Sequence, residues 1–233
     1  MAMYTGKGDG GMTVLANGKQ VSKSHDLIML IGQIDHLNSC IAAAYESIPQ
    51  PSKSNETTIA IAFIGTLVAT GGVFLSAIVA TIVGVFLYFV LQGNMKREVK
   101  LEALRVELRY VMNVMFALGS MVASPEEYHE LKETPKTKLV QAINYFNPDC
   151  PRLKDFILPI GNTGKSSAFH VARTQCRIVE EHIVAARENH VHIPAETVAF
   201  LNRLSSLLFV AARYVGGDVP RRRPEELETI VNA

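Results

Sequence analysis

Apolar residues recur every three or four positions in several stretches of the chain, the pattern of helices with one buried face. The first stripe is Leu27, Leu30, Ile34, Leu37 and Ile41. A second stripe keeps this alternation through three heptads from Leu101 to Val122, as in a helical bundle. Strand patterns are almost absent, apart from a short extended piece at Met12 to Leu15. The sequence therefore predicts an all-α fold, a bundle of about five helices at 24–46, 96–123, 135–146, 164–189 and 194–215.

The longest apolar stretch runs from Thr57 to Met95 and contains no charged residue. Residues 73–92 alone supply the roughly 20 apolar residues that cross a bilayer, and three basic residues follow within 96–100, as they do on the cytoplasmic side. A buried core helix is the alternative, although soluble helices are rarely apolar on all sides over such a length. We expect a hydrophobic helical insertion between the first and second bundle helices that associates with a membrane. Three other interpretations of residues 57–95 stay open: a re-entrant hairpin, an in-plane helix, or a stretch that is not translated. The predicted division is a bundle at 1–48 and 96–218, the insertion at 57–95 and a polar tail at 219–233.

Charge and cysteine content bear on the class of protein. The 23 Lys and Arg residues nearly balance the 22 Asp and Glu residues, and the main basic run is Arg221–Arg223, so we expect no nucleic-acid partner. Three scattered cysteines argue against a disulfide framework and for a reducing compartment. Residues 1–20 lack the apolar core of a signal peptide. We expect a cytoplasmic or mitochondrial-matrix protein.

Residues 164–167 read Gly-Lys-Ser-Ser, which looks like the end of a phosphate-binding P-loop. That loop needs a glycine five positions before the Gly-Lys pair, to start the turn that aims backbone N–H groups at phosphate. Pro159 occupies this position and has no N–H group. A P-loop is therefore excluded, and the stretch coincides with the start of the helix predicted at 164–189.

Charged and polar side chains mark one face of each of the last two helices. On the fourth helix, Arg173 and Arg177 are one turn apart and Glu180 follows on the same side. The fifth helix carries a polar stripe of Asn202, Ser205, Ser206, Phe209 and Arg213. Two arginines beside an amide and hydroxyl groups would bind an anion, and a solvated, salt-bridged surface is the alternative.

Two further patterns give weaker indications of a binding site. A glycine-rich loop at 8–13, flanked by Lys7 and Lys23, would cup phosphate through successive backbone N–H groups, or simply turn the chain. His190 and His192 favour a solvated turn, because no further ligand lies at metal-site spacing.

Six blocks of sequence occur in an order that resembles the PduO-type ATP:cob(I)alamin (corrinoid) adenosyltransferases: YTGKGDGGMT, VSKSHDL, GQIDHLNS, KDFILP, HVARTQCRIVEEHIV and FLNRLSSLLFVAARY. The resemblance covers about residues 3–48 and 99–218. It implies a five-helix bundle that assembles as a homotrimer, with ATP and the corrinoid bound between adjacent subunits. The apolar insertion is not part of this resemblance.

The resemblance also implies roles for individual residues. An N-terminal loop that wraps ATP would consist of Thr5, Lys7, Gly8, Asp9, Gly11 and Thr13, and Lys23 would meet the triphosphate. Asp35 would pair with Arg173 across the subunit interface, and Phe156 would lie under the corrin ring, so these three are the expected catalytic residues. The nucleotide and its Mg²⁺-bound phosphates would contact Arg173, Arg177, Glu180 and Asn202. Three positions depart from the family's pattern, namely Gly6, His36 and Ile160.

The implied reaction transfers the 5′-deoxyadenosyl group of ATP to the cobalt of reduced cobalamin, giving adenosylcobalamin and triphosphate. Because cobalt is the nucleophile, the protein has only to orient the two reactants and stabilise charge on the leaving group. A cobalamin reductase and an adenosylcobalamin-dependent mutase are implied partners. The alternatives are a corrinoid- and ATP-binding chaperone or sensor with the same fold, and a membrane scaffold.

Overall fold

The computed structural model describes residues 4–50, 75–124, 134–153, 157–161 and 164–217. The predicted all-α fold is confirmed, because α-helices make up most of these ranges. Except for the second helix, the described helices begin and end within two residues of the predicted bounds. In chain order they are α1 (Asp26–Ser47), α2 (Leu75–Ala123), α3 (Thr134–Phe146), α4 (Lys165–Glu188) and α5 (Ala195–Gly216). A short 3-10 turn, Asn147–Asp149, follows α3.

A small antiparallel hairpin of β1 (Met12–Val14) and β2 (Gln20–Ser22) precedes α1. Its register pairs Met12 with Ser22 and Val14 with Gln20. Leu15 and Val21 are its buried side chains. The hairpin follows directly on the glycine-rich loop and leads into α1.

The second helix begins much earlier than predicted. α2 is continuous over 49 residues from Leu75, whereas the apolar pattern predicts a start at Lys96. That boundary is wrong because residues 75–95 contain no proline. The glycines at 84 and 93 each weaken a helix by only about 1 kcal/mol relative to alanine, which neighbouring helix formers offset.

The core of the bundle lies where α4 packs against both α1 and α5, and where α3 packs against α5. Leu37 and Ile41 of α1, Phe169 of α4 and Phe200 of α5 are essentially inaccessible to solvent. Each such side chain contributes roughly 1.5–3 kcal/mol through burial. The predicted heptad stripe of α2 is likewise buried from Leu108 to Val122.

Two compact units divide the chain, one formed by residues 1–48 and 106–233 and the other by residues 49–105. In the second unit the buried Arg105 donates to the carboxylate of Glu102 at 2.9 Å and to the carbonyl of Pro49 at 2.6 Å. The proposed assignment of a bundle and a membrane-associated insertion stays a prediction.

By length and composition alone, three stretches of the described helices are apolar enough to cross a membrane, namely Asp26–Ser47, Gln92–Ala123 and Ala195–Gly216. α1 and α5 are among them, and both bury core side chains of the bundle. Of the predicted apolar segment at 57–95, residues 57–74 lie outside the described residues. Within α2, the side chains of Ile82, Phe86 and Phe89 are exposed.

Candidate active site

A cavity of about 920 Å³ opens along α4 and α5. Its apolar wall is formed by Ile143, Leu153, Ile157, Pro159, Phe209 and Val210. Its polar groups belong to Asn147, His170, Arg173, Arg177, Ser205, Ser206 and Arg213. Cavities of this size, mostly apolar with a few convergent polar groups, are typical of small-molecule and cofactor sites.

Positive charge is concentrated on the α4 side of this cavity. Arg173 and Arg177 lie one turn apart, as predicted, and both line the cavity. The Nε atom of Arg173 is buried and has no hydrogen-bond partner in the described part of the chain. Burial, together with the charge of Arg177, lowers the pKa of the Arg173 guanidinium. Two neighbouring cations of this kind would be stabilised by an anionic ligand.

Three polar side chains lie around the ring of Phe209. The guanidinium carbons of Arg173 and Arg213 lie 5.9 Å and 5.6 Å from the ring centroid, within cation–π range. The ring of His170 approaches Phe209 edge-on with centroids 6.2 Å apart. The pattern of α5 places Phe209 and Arg213 on a polar stripe, and the structure makes that stripe one wall of the cavity.

A smaller cavity of about 410 Å³ adjoins the first and shares Arg177 with it. Glu180, Glu181 and Glu188 line it together with Asn202. The side-chain amide of Asn202 donates to Glu180 Oε1 at 3.1 Å. The structure therefore brings together Arg177, Glu180 and Asn202, three of the residues predicted to contact the nucleotide.

The predicted ATP loop at the N-terminus is a sequence of tight turns. The amide of Asp9 donates to the Gly6 carbonyl at 3.2 Å, and the amide of Gly11 donates to the Gly8 carbonyl at 3.2 Å. Gly6 and Gly11 have φ angles of +67° and +77°, which glycine adopts without strain. These turns leave Thr5 and Lys7 exposed, and Thr13 lies in β1.

Lys23 closes this loop. Its backbone amide donates to the Gly11 carbonyl at 2.9 Å, and its ammonium nitrogen would lie 3.2 Å from a Cβ atom placed on Gly8. Lys23 and the glycines predicted to contact ATP are therefore neighbours. Within the described residues, no hydrogen bond or ion pair joins this loop to the α4–α5 cavities.

The two residues predicted to pair across subunits do not pair within one chain. Asp35 is exposed on α1, and the described residues contain no ion pair between it and Arg173. The contact between α1 and α4 instead includes a hydrogen bond of 2.6 Å from Gln175 to Gln33. Pairing of Asp35 with Arg173 across subunits stays a prediction.

Phe156, predicted to lie under the corrin ring, is outside the described residues. Leu153 before it and Ile157 after it both line the larger cavity. The role of Phe156 stays a prediction.

The Gly-Lys-Ser-Ser stretch starts a helix, as the missing first glycine of the P-loop indicates. Gly164 is the N-cap of α4, with φ at +67°. Ser166 is wedged between two glycines, since a Cβ atom on Gly161 or on Gly216 would approach the Ser166 Cβ to 2.7 Å or 2.8 Å. The stretch thus fastens the start of α4 to the end of α5.

Sequence reasoning missed His170 and most of the apolar wall. His170 is buried and precedes Arg173 by one turn on α4, so its spacing was a usable signal. Ile143 lies on α3, whereas Leu153 and Ile157 lie in the stretch between α3 and α4, and no local pattern connects them. No group of three or more His, Cys, Asp or Glu side chains that could hold a metal ion occurs among the described residues.

Comparison with known proteins places this chain in a family. The family model for cobalamin adenosyltransferase matches residues 3–74 and 79–215. The matched residues include most of the apolar segment at 57–95, which the resemblance by motif leaves out. A cobalamin adenosyltransferase of Cupriavidus metallidurans is 28% identical over 229 residues, covering 95% of each chain. A corrinoid adenosyltransferase of Bacillus subtilis is 28% identical over 230 residues, covering 96% of this chain and 93% of the relative.

Solved structures agree with these matches. A variant PduO-type ATP:corrinoid adenosyltransferase from Lactobacillus reuteri, complexed with ATP, is similar with a TM-score of 0.67 and 25% identity, covering 95% of this chain and all of that one. Another variant of that enzyme, complexed with cobalamin and ATP, has the same fold with a TM-score of 0.68 at 23% identity and covers 95% of this chain and 99% of that one. The predicted family is confirmed: the chain belongs to the cobalamin adenosyltransferase family.

Proposed function

We propose that this chain transfers the 5′-deoxyadenosyl group of ATP to the cobalt of reduced cobalamin and releases triphosphate. Membership of the family confirms the predicted enzyme class, an adenosyltransferase. One observation carries the proposal for the site: a large, mostly apolar-walled cavity and a small polar cavity meet at a single arginine, Arg177. A flat macrocycle with an apolar face and a charged nucleotide need two adjoining environments of this kind.

The larger cavity would take the corrinoid and the smaller one part of the nucleotide. The corrinoid supplies the nucleophile when bound. The residues of the chain therefore have to bind and orient the two substrates and to stabilise charge on the leaving group. Arg177 would face the polyphosphate, whose negative charge grows as triphosphate leaves. Lys23 and the backbone N–H groups of the glycine loop would supply further donors. Phe156 would lie under the corrin ring.

Mg²⁺ would accompany ATP, because this ion is usually held by one or two carboxylates and by substrate phosphates. Glu180 fits this requirement. It lies in the small cavity beside Arg177, and its side chain accepts a hydrogen bond from Asn202. The remaining ligands would be phosphate oxygens and water.

A homotrimer with its sites between subunits accounts for the separation of the two halves of the site. Among the described residues of one chain, no hydrogen bond or ion pair joins the glycine loop to the α4–α5 cavities, and Asp35 and Arg173 do not pair. A second copy would bring the loop of one subunit to the cavities of another. The half-buried Arg173 guanidinium would then gain the carboxylate it lacks.

Charge reversal tests this assembly. Asp35→Arg and Arg173→Asp should each weaken the trimer and abolish adenosylation, because each places like charges together. The double variant should recover the trimer at least in part, as measured by light scattering after gel filtration. A double variant no better than the single variants would contradict the pairing.

We further propose that the chain associates with a membrane through residues 57–95. Its partners would be a cobalamin reductase and an adenosylcobalamin-dependent mutase, in the cytoplasm or the mitochondrial matrix. The exposed apolar side chains at the start of α2 support the membrane part, since three basic residues follow them. A carbonate wash of membranes tests it. Protein found wholly in the supernatant would exclude the tether.

Adenosylation itself is tested with the full chain, chemically reduced cobalamin and MgATP, following the absorbance change to adenosylcobalamin. Arg177→Ala should raise the KM for ATP about 10-fold to 100-fold, the value of a charge-assisted hydrogen bond. Arg187→Ala is the matched control, since Arg187 is exposed near the end of the same helix and lines neither cavity. Binding of both substrates without turnover would favour the chaperone or sensor, and absence of both binding and turnover would contradict the proposal.

A further inference from the structure

His170 is a buried polar side chain that lines the larger cavity. Only 4% of its surface is exposed, and it is one of the residues that line the cavity. Neither Nδ1 nor Nε2 of its ring has a hydrogen-bond partner in the described part of the chain. Buried polar groups of folded proteins are nearly always paired, so an imidazole with two open nitrogens points to a ligand.

The residues around His170 indicate which hydrogen-bonding groups that ligand must carry. Its neighbours around the Phe209 ring are the guanidinium groups of Arg173 and Arg213, which are donors only. Neither arginine would accept a hydrogen bond from the imidazole N–H. A ligand that both donates and accepts, such as a carboxamide, would satisfy the neutral ring. Phosphate oxygens only accept.

We propose that His170 hydrogen-bonds a carboxamide side chain at the rim of the corrin ring and so helps to bind and orient the corrinoid. This inference rests on the proposed function. Corrinoids carry acetamide and propionamide groups around the macrocycle, which supply the required donor and acceptor. His170 faces the same cavity as the apolar Ile143, Leu153 and Val210, and the smaller cavity, assigned to the nucleotide, does not include it.

The protonation state agrees with an amide partner. Burial, and next the positive charge of Arg173, lower the pKa of His170. The ring is therefore neutral at neutral pH, with one N–H donor and one acceptor nitrogen. A polyphosphate would instead favour a protonated ring, which these neighbours oppose.

The test compares the His170→Leu variant with the unaltered full chain. The variant should bind cob(II)alamin about fivefold to tenfold more weakly in an absorbance titration with ATP present, the value of one or two hydrogen bonds. Cobinamide, which keeps the ring amides and lacks the nucleotide tail, should show an equal loss. The KM for ATP should not change. His170→Gln, which retains a donor and an acceptor, should recover part of the affinity.

Stability separates this role from a structural one. Because the imidazole nitrogens make no hydrogen bond in the described chain, removing them loses none, and the melting temperature of His170→Leu should be unchanged or higher. His182→Leu is the matched control, since His182 is exposed on the same helix, and it should leave corrinoid affinity unchanged.

Three results would overturn the inference: unchanged corrinoid affinity in His170→Leu, a rise in the KM for ATP alone, or an effect on cobalamin that cobinamide lacks. Failure of the unaltered chain to bind any corrinoid would contradict the proposed function and this inference together. Loss confined to the His170 variants would leave the proposed function intact.

Discussion

Arg213 connects α5 to the turn that follows α3, and its removal gives the sharpest prediction on stability. The side chain is 6% exposed. Its Nη2 donates to the carbonyl of Pro151, and its Nη1 lies 3.4 Å from Asn147 Oδ1. Its guanidinium also lies over the Phe209 ring. Arg213→Met keeps an unbranched apolar chain at this position and removes every donor.

The magnitude follows from these contacts. A hydrogen bond from a charged donor contributes about 1.5–3 kcal/mol, and the aromatic contact adds about 0.5–1 kcal/mol. Relief of the buried charge offsets part of this loss. We expect a net cost of about 2 kcal/mol, which lowers the melting temperature by about 4–8 °C in a chain of this size.

The same substitution should affect one substrate and spare the other. The turn held by Arg213 leads into Leu153, which lines the larger cavity, so corrinoid affinity should fall while the KM for ATP stays the same. Thermal unfolding followed by circular dichroism and a corrinoid titration measure the two effects, with the exposed Arg187→Met as control. A melting temperature within 1 °C of the control and unaltered corrinoid binding would refute the reasoning.

Two glycine substitutions test the loop and the start of α4. Gly216→Ala should cost about 1–3 kcal/mol through overpacking, since the new Cβ atom would lie 2.8 Å from the Ser166 Cβ; Ser166→Gly in the same chain should restore the stability, and a double variant that melts as low as the single one would count against this contact. Gly8→Ala should displace the Lys23 ammonium, which would lie 3.2 Å from the new Cβ atom, and so raise the KM for ATP with little change in melting temperature. Gly10→Ala, where a Cβ atom meets nothing within 4 Å, should leave the KM unchanged, and equal effects at both glycines would argue against a role for Lys23.

The bundle was predictable because its signals are local. The apolar stripe of α1 follows from residues close in sequence, and the structure adds that the ring of His25 accepts a hydrogen bond from the amide of Leu27 at the helix start. The end of α5 follows from the two consecutive glycines Gly216 and Gly217, of which Gly217 caps the helix. The start of α2 was missed because glycine alone does not stop a long apolar helix.

The candidate site was only partly predictable. Arg177 and Glu180 lie one turn apart on one helix, and their proximity follows from helical spacing. Asn202 joins them only through the packing of α5 on α4. The cavity wall from Ile143 and Leu153 depends on where the turn after α3 meets α5, which no periodicity encodes. The spacing of His170, one turn before Arg173, could have indicated its place in the cavity, but its unpaired nitrogens are visible only in the structure.

The central claim is that ATP is cleaved at its 5′ carbon by a corrinoid bound beside Arg177. Single-turnover incubation of the full chain with cob(I)alamin and MgATP, with both products separated by chromatography, tests this most directly. The account predicts adenosylcobalamin and intact triphosphate in equal amounts. Formation of pyrophosphate or phosphate without adenosylcobalamin would contradict it.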